Sequence, residues 1–387
     1  MNSKMVPTVL FFTVLTGWLA MVAPARAQTW TLSNAPKTNW LDIASSADGT
    51  KLIAAAYLGL VYTSTNSGAD WTATSLSSAG WYTVASSWDG NTLIAAIFSG
   101  GVFVSTNAGV SWSSNIPTGV WYSVAASSDA SKIVAVSGGS GRNIYTSTNS
   151  GASWISNSVP NDEYWYSVAS SADGNQLVAV SNSRTNGQDG AIYFSTNAGV
   201  NWVENPLPRK SWHGVASSAD GKKVIGAGGG GNLYLSTDGG TTWTNRTFNF
   251  SISGVASSAD GNRLVIVGNA RSIFTSQDSG ATWTSNTVPN LNYGAVVSSL
   301  DGNKLAATVQ GDGIVTTQIA PPLLIASSIG NVLPTWPWPS IGYALEQNTN
   351  LSTTNWTTVT NLPAVTNWQN QVPLSPTNGR AFFRLKR

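Results

Sequence analysis

Apolar and polar residues alternate with a period of two along most of the chain, in short runs separated by residues that favour turns. Four such runs, 81–87, 91–98, 101–105 and 112–115, follow one another in a single representative stretch. After residue 27, no stretch has the spacing of an amphipathic helix. The pattern therefore predicts an all-β protein assembled from units of four short strands.

The unit recurs about every 40 residues. Each copy opens with a β-prone run that ends in Asp-Gly, and its Asp recurs at Asp48, Asp89, Asp129, Asp173, Asp220, Asp260 and Asp301, at intervals of 41, 40, 44, 47, 40 and 41 residues. A second pattern, Ser-x-Asp/Asn-x-Gly-x-x-Trp, is called the box below and begins at Ser64, Ser105, Ser147, Ser195, Ser236 and Ser276. This period, with four strands per unit, predicts a seven-bladed β-propeller over residues 28–318.

The two ends of the repeat are incomplete in complementary ways. The seventh unit has three predicted strands and no box, whereas Trp30 precedes Trp40 by ten residues, as Trp71 precedes Trp81. We therefore expect residues 29–34 to supply the fourth strand of the seventh blade and to close the ring. Such pairing would cover a sheet edge that is otherwise exposed.

Residues 1–27 have the features of a cleaved secretory signal. Lys4 precedes an apolar stretch over 6–22, and Ala25-Arg26-Ala27 forms a small-x-small cleavage site before Gln28. We expect a secreted protein, extracellular or periplasmic, with no transmembrane segment after cleavage; a retained membrane anchor is the alternative. The chain has no cysteine, so no disulfide stabilises it.

Charge narrows the range of partners. Without Lys4 and Arg26 the chain has 17 basic and 17 acidic residues, and charged residues make up only 9% of the sequence. This balance gives a nucleic-acid partner no electrostatic support. We expect a monomer with no cofactor and no metal ion.

The six boxes resemble the Asp-box, or BNR repeat, and residues 28–318 resemble the Asp-box propellers of the sialidase-like superfamily. The resemblance implies that the boxes are structural turns, remote from the functional face. The superfamily includes sialidases, endo-xyloglucanases and non-catalytic propellers such as photosystem II assembly factors, so the resemblance defines a fold more than a function. Residues 319–387 lie outside the repeat and resemble a small C-terminal β module of secreted bacterial proteins, which we expect to be β-sandwich-like.

An aromatic residue opens the predicted innermost strand of most units. The series is Trp40, Trp81, Trp121, Trp165, Trp212 and Tyr293. These rings could stack on sugars or other flat ligands, or they could pack between neighbouring blades. The residues that follow four of them, Tyr82, Tyr122, Tyr166 and His213, point to the opposite side of their strands.

Extra loop residues in the third and fourth units explain the longer intervals of 44 and 47. They fall at 137–143, 159–165 and 181–190, which we expect to lie on the same side as the aromatic series. Because function is often carried by loops on a rigid scaffold, we predict a binding face over blades 3 to 5. Its candidate residues are Arg142, Asp162, Glu163, Arg184, Asp189, Trp121, Trp165, Trp212 and His213. A solvated rim that serves solubility is the alternative.

Two classes of function follow. A sialidase is disfavoured, because the chain has no Arg-Ile-Pro motif near its start and only three Glu residues after residue 27. A glycoside hydrolase that uses Asp162 or Glu163 together with Asp189 stays open, since such chemistry needs an acid and a base about 5–10 Å apart. A lone His213 offers no histidine-based metal site. The favoured interpretation is a non-catalytic propeller that binds a protein or a glycan.

Overall fold

The computed structural model describes residues 28–387 with a few gaps. The gaps are residues 115, 117, 140, 270–271, 290, 320–322, 329–330, 339–342, 350–354, 367–368, 375–380 and 387. The predicted signal over 1–27 lies outside the described residues. The described residues fall into two compact units, one ending at Ile319 and the other following it.

The larger unit consists of antiparallel strands, with one 3-10 turn at Gly229–Gly231 and no α-helix among its described residues. The first strands in chain order are β1 (Thr31–Leu32), β2 (Trp40–Ser45), β3 (Leu52–Gly59), β4 (Val61–Ser64), β5 (Thr72–Ala73), β6 (Ala79–Ser86), β7 (Leu93–Ile97) and β8 (Val102–Ser105). Strands β2–β5 form one meander and β6–β8 the next, and the two are joined by pairing of β3 with β6.

The following strands form separate four-stranded meanders. They are β9 (Trp121–Ala126), β10 (Ile133–Ser137), β11 (Ile144–Ser147), β12 (Ile155–Ser156); β13 (Glu163–Ser170), β14 (Leu177–Arg184), β15 (Ile192–Ser195), β16 (Val203–Glu204); β17 (Trp212–Ser217), β18 (Val224–Gly228), β19 (Asn232–Ser236), β20 (Thr244–Thr247); and β21 (Ile252–Ser257), β22 (Leu264–Gly268), β23 (Ser272–Ser276), β24 (Thr284–Ser285). The last sheet contains β25 (Tyr293–Ser298), β26 (Lys304–Val309) and β27 (Ile314–Gln318), with β1 at its edge.

The first strand of each sheet lies against the first strand of the next. The contacts run from β2 through β6, β9, β13, β17 and β21 to β25, and β25 in turn contacts β2. This sequence of contacts places the first strands innermost and the short fourth strands outermost. The predicted all-β architecture is confirmed, and five sheets of this unit have four strands. The representative stretch differs: among its described residues, the predicted fourth strand at 112–115 forms only a single bridge, between Ser113 and Val104.

The aromatic residue at the start of an inner strand packs into the preceding sheet. Trp165 lies among Val134, Val136 and Ile144 of the sheet before it, and its own sheet contributes Tyr193, whose ring centroid is 4.9 Å away. The same arrangement recurs in the other sheets, and the indoles of this series are at most 2% exposed. Each large ring thus fills the space between two sheets, where burial is worth several kilocalories per mole.

The boxes use their polar groups within the turn itself. In the box from Ser64, the Ser64 hydroxyl accepts the amide of Gly68 at 3.0 Å, and Asn66 Oδ1 accepts the amide of Asp70 at 2.9 Å. Gly68 has φ 86°, a left-handed conformation that favours glycine. The other five boxes repeat both hydrogen bonds at 2.8–2.9 Å. Their residues are therefore accounted for by turn formation.

The N-terminal arm, residues 28–34, joins the two sheets at the end of the repeat. In β1, Thr31 pairs with Thr316 and Leu32 with Val315 of β27. The amide of Gln28 donates to Asn286 Oδ1 at 2.9 Å in the preceding sheet. Trp30 is 3% exposed and packs in the core shared by these two sheets.

The smaller unit contains two sheets. One is formed by β28 (Leu324–Ser328), β29 (Asn331–Pro337), β32 (Ala364–Thr366) and β33 (Gln369–Gln371), and the other by β30 (Ala344–Asn348), β31 (Thr357–Thr358) and β34 (Phe382–Lys386). Trp336 and Val372 share one buried cluster with Leu345 and Phe383. No helix in the described part of the chain is long and apolar enough to cross a membrane.

Replacing Trp30 with alanine tests the contribution of the arm. We expect the free energy of unfolding to fall by about 3–5 kcal/mol, because a buried indole is removed and a cavity remains. Urea denaturation followed by circular dichroism measures the loss. The control is Leu32→Ser in the same arm, which should cost less than about 1 kcal/mol because Leu32 is 45% exposed. Equal stability of the wild type and the Trp30 variant would contradict a structural role for the arm.

Candidate functional site

A buried carboxylate organises the loops at the start of β13. Glu163 is fully buried, and its Oε1 accepts a hydrogen bond from Arg209 Nη1 at 2.9 Å. Ser181 Oγ donates to its Oε2 at 2.5 Å, and the Tyr193 hydroxyl donates to Oε1 at 3.1 Å. Arg184 Nε lies 3.1 Å from the same Oε1 as an ion pair without hydrogen-bond geometry. Two guanidinium groups and two hydroxyls thus compensate the cost of burying this charge.

The two arginines extend the network to the surface. Arg184 Nη2 lies 2.8 Å from Asp162 Oδ2, and Arg209 Nη2 lies 2.6 Å from Glu204 Oε1. Burial opposes the charged form of Arg209, but hydrogen bonds to Glu163 and Tyr193 and the charges of Glu163 and Glu204 together outweigh it, and the pKa of Arg209 is raised. Burial, followed by the nearby Glu163 carboxylate, raises the pKa of Tyr193, so this phenol stays protonated and acts as a donor.

The 181–190 loop is held by backbone contacts as well as by this network. The Thr185 amide donates to Asp162 O at 2.9 Å, and the Lys210 amide donates to Gly190 O at 3.0 Å. A side chain at Gly190 would collide with the Ser181 carbonyl, 1.9 Å from where its Cβ would lie. The inserted loops therefore form one cross-linked platform rather than independent excursions.

Arg142 differs from the other arginines of these loops. Its Nη2 donates to the Tyr164 hydroxyl at 2.9 Å, and its guanidinium carbon lies 4.4 Å from the centroid of that ring. No carboxylate pairs with Arg142 among the described ion pairs. The half-buried Lys210 also has no carboxylate partner among these ion pairs. Asp189, the last candidate carboxylate of these loops, is exposed. Arg142 and Lys210 are thus the cations of this surface whose charge is not neutralised by the protein.

Burial excludes direct contact with a ligand for four of the predicted ligand-binding residues, which corrects that prediction. Trp121, Trp165 and Trp212 are at most 1% exposed, so their faces stack on neighbouring sheets and not on a ligand. Glu163 has no access to solvent and is committed to its two arginines. In the structure Arg184 contacts both Asp162 and Glu163, and Arg142 lies beside Tyr164.

A row of partly exposed aromatic rings lies on the inner strands, one residue after the buried series. The centroids of Tyr82 and Tyr122 are 5.5 Å apart, those of Tyr122 and Tyr166 are 5.3 Å apart, and that of His213 lies 6.2 Å from Tyr166. Phe98 packs beside the first two rings at 5.1 and 5.4 Å. Burial lowers the pKa of His213, so its imidazole is neutral near pH 7, with Nε2 3.2 Å from Ser211 Oγ.

Asp42 is a carboxylate of the innermost layer. Its Oδ1 accepts the amide of Ile43 at 2.8 Å, and its Oδ2 accepts the amide of Val84 on the next inner strand at 2.9 Å. The side chain keeps partial solvent access, but protein surrounds it, and this desolvation raises its pKa to about 6. The hydroxyls at the equivalent positions, Thr83 and Ser123, receive the same kind of inter-strand amide hydrogen bond at 3.3 Å. Asp42 is therefore a charged residue where its repeats carry neutral ones.

The sequence analysis overlooked some of these residues. Asp42 could have been found by aligning the units, because Thr83, Ser123 and Ser167 occupy its position. Glu204 and Tyr193 carry no local signal, since only the fold brings Tyr193 to Glu163 and Glu204 to Tyr193. Within the described residues, no three His, Asp or Glu side chains are placed to hold a metal ion.

No family model matches the chain, and none of the curated proteins matches it either. Among solved structures, one described as YCF48 bound to D1 peptide covers 78% of this chain and 100% of its own at a TM-score of 0.60 and 16% identity. YCF48 from Cyanidioschyzon merolae covers 76% of this chain and 98% of its own, with a TM-score of 0.57 and 16% identity. A structure of hydrazine synthase from Kuenenia stuttgartiensis covers 75% of this chain and 97% of its own, with a TM-score of 0.61 and 16% identity.

These likenesses, at low identity, define the fold alone. The β-propeller domain of Cps50 (Swd1) from Myceliophteria thermophila also matches, over 75% of this chain and all of its own, with a TM-score of 0.59 and 11% identity. The chain is a β-propeller. Because likeness at this level of identity does not define a function, the function has to be argued from the chain's own residues.

Glu163→Gln tests the network under the loops. We expect it to lower the free energy of unfolding by about 3 kcal/mol, because two partly buried arginines lose their shared countercharge. The matched control is Glu204→Gln, which removes the outer partner of the same Arg209 and should cost less than about 1 kcal/mol, since Glu204 is 44% exposed. Urea denaturation measures both changes. Equal costs for the two substitutions would show that Glu163 does not anchor the loops.

Asp42 should make stability depend on pH. Its folded pKa of about 6 lies above the ordinary value of 3.8 for an aspartate, so ionisation disfavours the folded state. The stability contributed by the protonated Asp42 side chain is fully present below pH 4 and is lost as pH rises through 6. The free energy of unfolding changes by up to about 3 kcal/mol over this range. The turn carboxylates Asp48 and Asp89, whose pKa values are lowered, act in the opposite sense. The difference in stability between wild type and Asp42→Asn, measured by urea denaturation from pH 4 to 8, isolates the effect. A difference that does not vary with pH would contradict it.

Proposed function

We propose that the chain is a secreted, non-catalytic propeller of seven blades that binds a segment of another protein. The proposed site is the loop face, defined here as residues 137–143, 159–165 and 181–190, together with 205–213. In this scheme blades 3 to 5 correspond to β9–β20, and the arm 28–34 closes the ring. The successive inner-strand contacts and the pairing of β1 with β27 support the ring. The signal-like residues 1–27 support secretion.

The observation that carries the proposal is the contrast between neutralised and unneutralised charges on the loop face. Arg184 and Arg209 are paired with carboxylates, whereas Arg142 and Lys210 are not. A rigid surface that carries Lys210 and an Arg142 guanidinium stacked on Tyr164 suits a polypeptide that offers carboxylate groups and apolar side chains. The cross-linked 181–190 loop holds this surface in place before a ligand binds, which reduces the entropic cost of binding.

A protein ligand is favoured over a glycan. The indoles that could have stacked on sugar rings lie in the core, with Trp121, Trp165 and Trp212 at most 1% exposed. Likeness to YCF48, one structure of which is described as bound to D1 peptide, supports a peptide ligand in the style of the photosystem II assembly factors. The repeated boxes support kinship with the Asp-box propellers.

The burial of Glu163 argues against the glycoside hydrolase alternative. Glu163 cannot reach a substrate, and Asp162 is paired with Arg184 at 2.8 Å. Asp189 is the remaining exposed carboxylate of the three candidates, and a two-carboxylate mechanism needs a second one within about 10 Å. The side chains thus favour binding over hydrolysis.

A displayed library of random peptides, panned on the purified protein beside a glycan array, tests the proposal. We expect peptides to be selected, and Arg142→Ala to weaken the selected peptide at least about tenfold, or 1.4 kcal/mol. Asp238→Ala is the control, because Asp238 lies in a box, and it should leave affinity unchanged. Peptides that bind Arg142→Ala as tightly as wild type, or selection of glycans alone, would refute the proposed site.

A further inference from the structure

The inner strands carry large aromatic residues on only part of their circuit. Tyr82, Tyr122, Tyr166 and His213 follow the buried aromatics of β6, β9, β13 and β17. At the same position the strands β21 and β25 carry Ser253 and Gly294, which are far smaller. The row of partly exposed rings therefore covers only part of the inner layer, and the side chains that follow it there are much smaller.

Asp42 adds an uncompensated negative charge to this layer. Its carboxylate receives backbone amides from Ile43 and Val84, and no cation pairs with it among the described ion pairs. Val84, whose amide binds Asp42 Oδ2 at 2.9 Å, follows Tyr82 by two residues on β6. The carboxylate thus lies against the strand that carries the first ring of the aromatic row.

Aromatic faces and a carboxylate attract the same class of ligand. The face of a phenol ring is electronegative, and it binds ammonium groups with about 0.5–2 kcal/mol according to how far they are desolvated. A desolvated carboxylate without a countercharge is stabilised by any cation that approaches it. Threonine or serine at position 42, as in the repeats, would supply the structural hydrogen bond without this charge, so the acid is not needed for the fold.

We infer that the inner layer beside Asp42, Tyr82, Tyr122 and Tyr166 is a binding site for an organic cation. The cation is an alkylammonium or quaternary ammonium group, borne either by a small solute or by a lysine side chain. The Asp42 carboxylate supplies the countercharge and the tyrosine rings supply the surface that the alkyl groups cover. The site is separate from the loop face, and the inference does not rest on the proposed peptide binding.

Calorimetric titration of the full protein with two cations and their neutral isosteres tests the site. Choline is compared with 3,3-dimethylbutan-1-ol. Nα-acetyl-lysine methylamide, whose side-chain ammonium is free, is compared with Nα-acetyl-norleucine methylamide. We expect at least one cation to bind ten times more tightly than its isostere, and the pair that discriminates identifies the source of the ammonium group. If neither cation exceeds its isostere, the inference is wrong.

Substitutions locate the effect. Asp42→Asn should abolish the discrimination between cation and isostere, and Tyr122→Leu should weaken the cation at least threefold. Asp312→Asn is the control, since Asp312 is already paired with Lys37 at 3.1 Å, and Arg142→Ala should also leave cation binding unchanged. Circular dichroism checks folding, and Asp42→Thr, which copies Thr83, replaces the Asn variant if that one does not fold. Discrimination that survives the loss of the Asp42 charge would overturn the assignment.

Discussion

Each sheet of this protein has to bury both of its faces against its neighbours, and the rest of the structure depends on that packing. The aromatic residue at the start of each inner strand fills the gap to the preceding sheet, as Trp165 does among Val134, Val136 and Ile144. A large ring in that position removes more apolar area from water than any other side chain could. No disulfide assists, so stability rests on these contacts and on the pairing of β1 with β27.

The packing requirement also decides where function can lie. Residues between the sheets cannot vary without loss of stability. The polar groups of the boxes are hydrogen-bonded within their own turns. Freedom remains in the loops and in the residues that line the inner layer. Both places contain departures from the repeat: the inserted loops around Glu163, and a carboxylate at position 42, where three other units have a hydroxyl.

The repeat explains how much was predictable from sequence. Strand pattern and period predict the four-stranded sheets, because alternation and turn residues act locally. The aromatic series allowed two interpretations, and the stacking role failed at Trp121, Trp165 and Trp212 since exposure depends on the neighbouring sheet. Glu163 was predicted to contact a ligand because its partners Arg184, Tyr193 and Arg209 lie 21 or more residues away in sequence, where no local signal could indicate them.

The central claim is that the loop face of blades 3 to 5, held in place by Glu163, is where this propeller meets a polypeptide partner. Hydrogen–deuterium exchange of the full protein, with and without a peptide selected from a displayed library, tests this most directly. The account predicts that added protection is concentrated in amides of 137–143, 159–165 and 181–190, while the six box turns exchange as before. Protection confined to the boxes or to the C-terminal unit would contradict it.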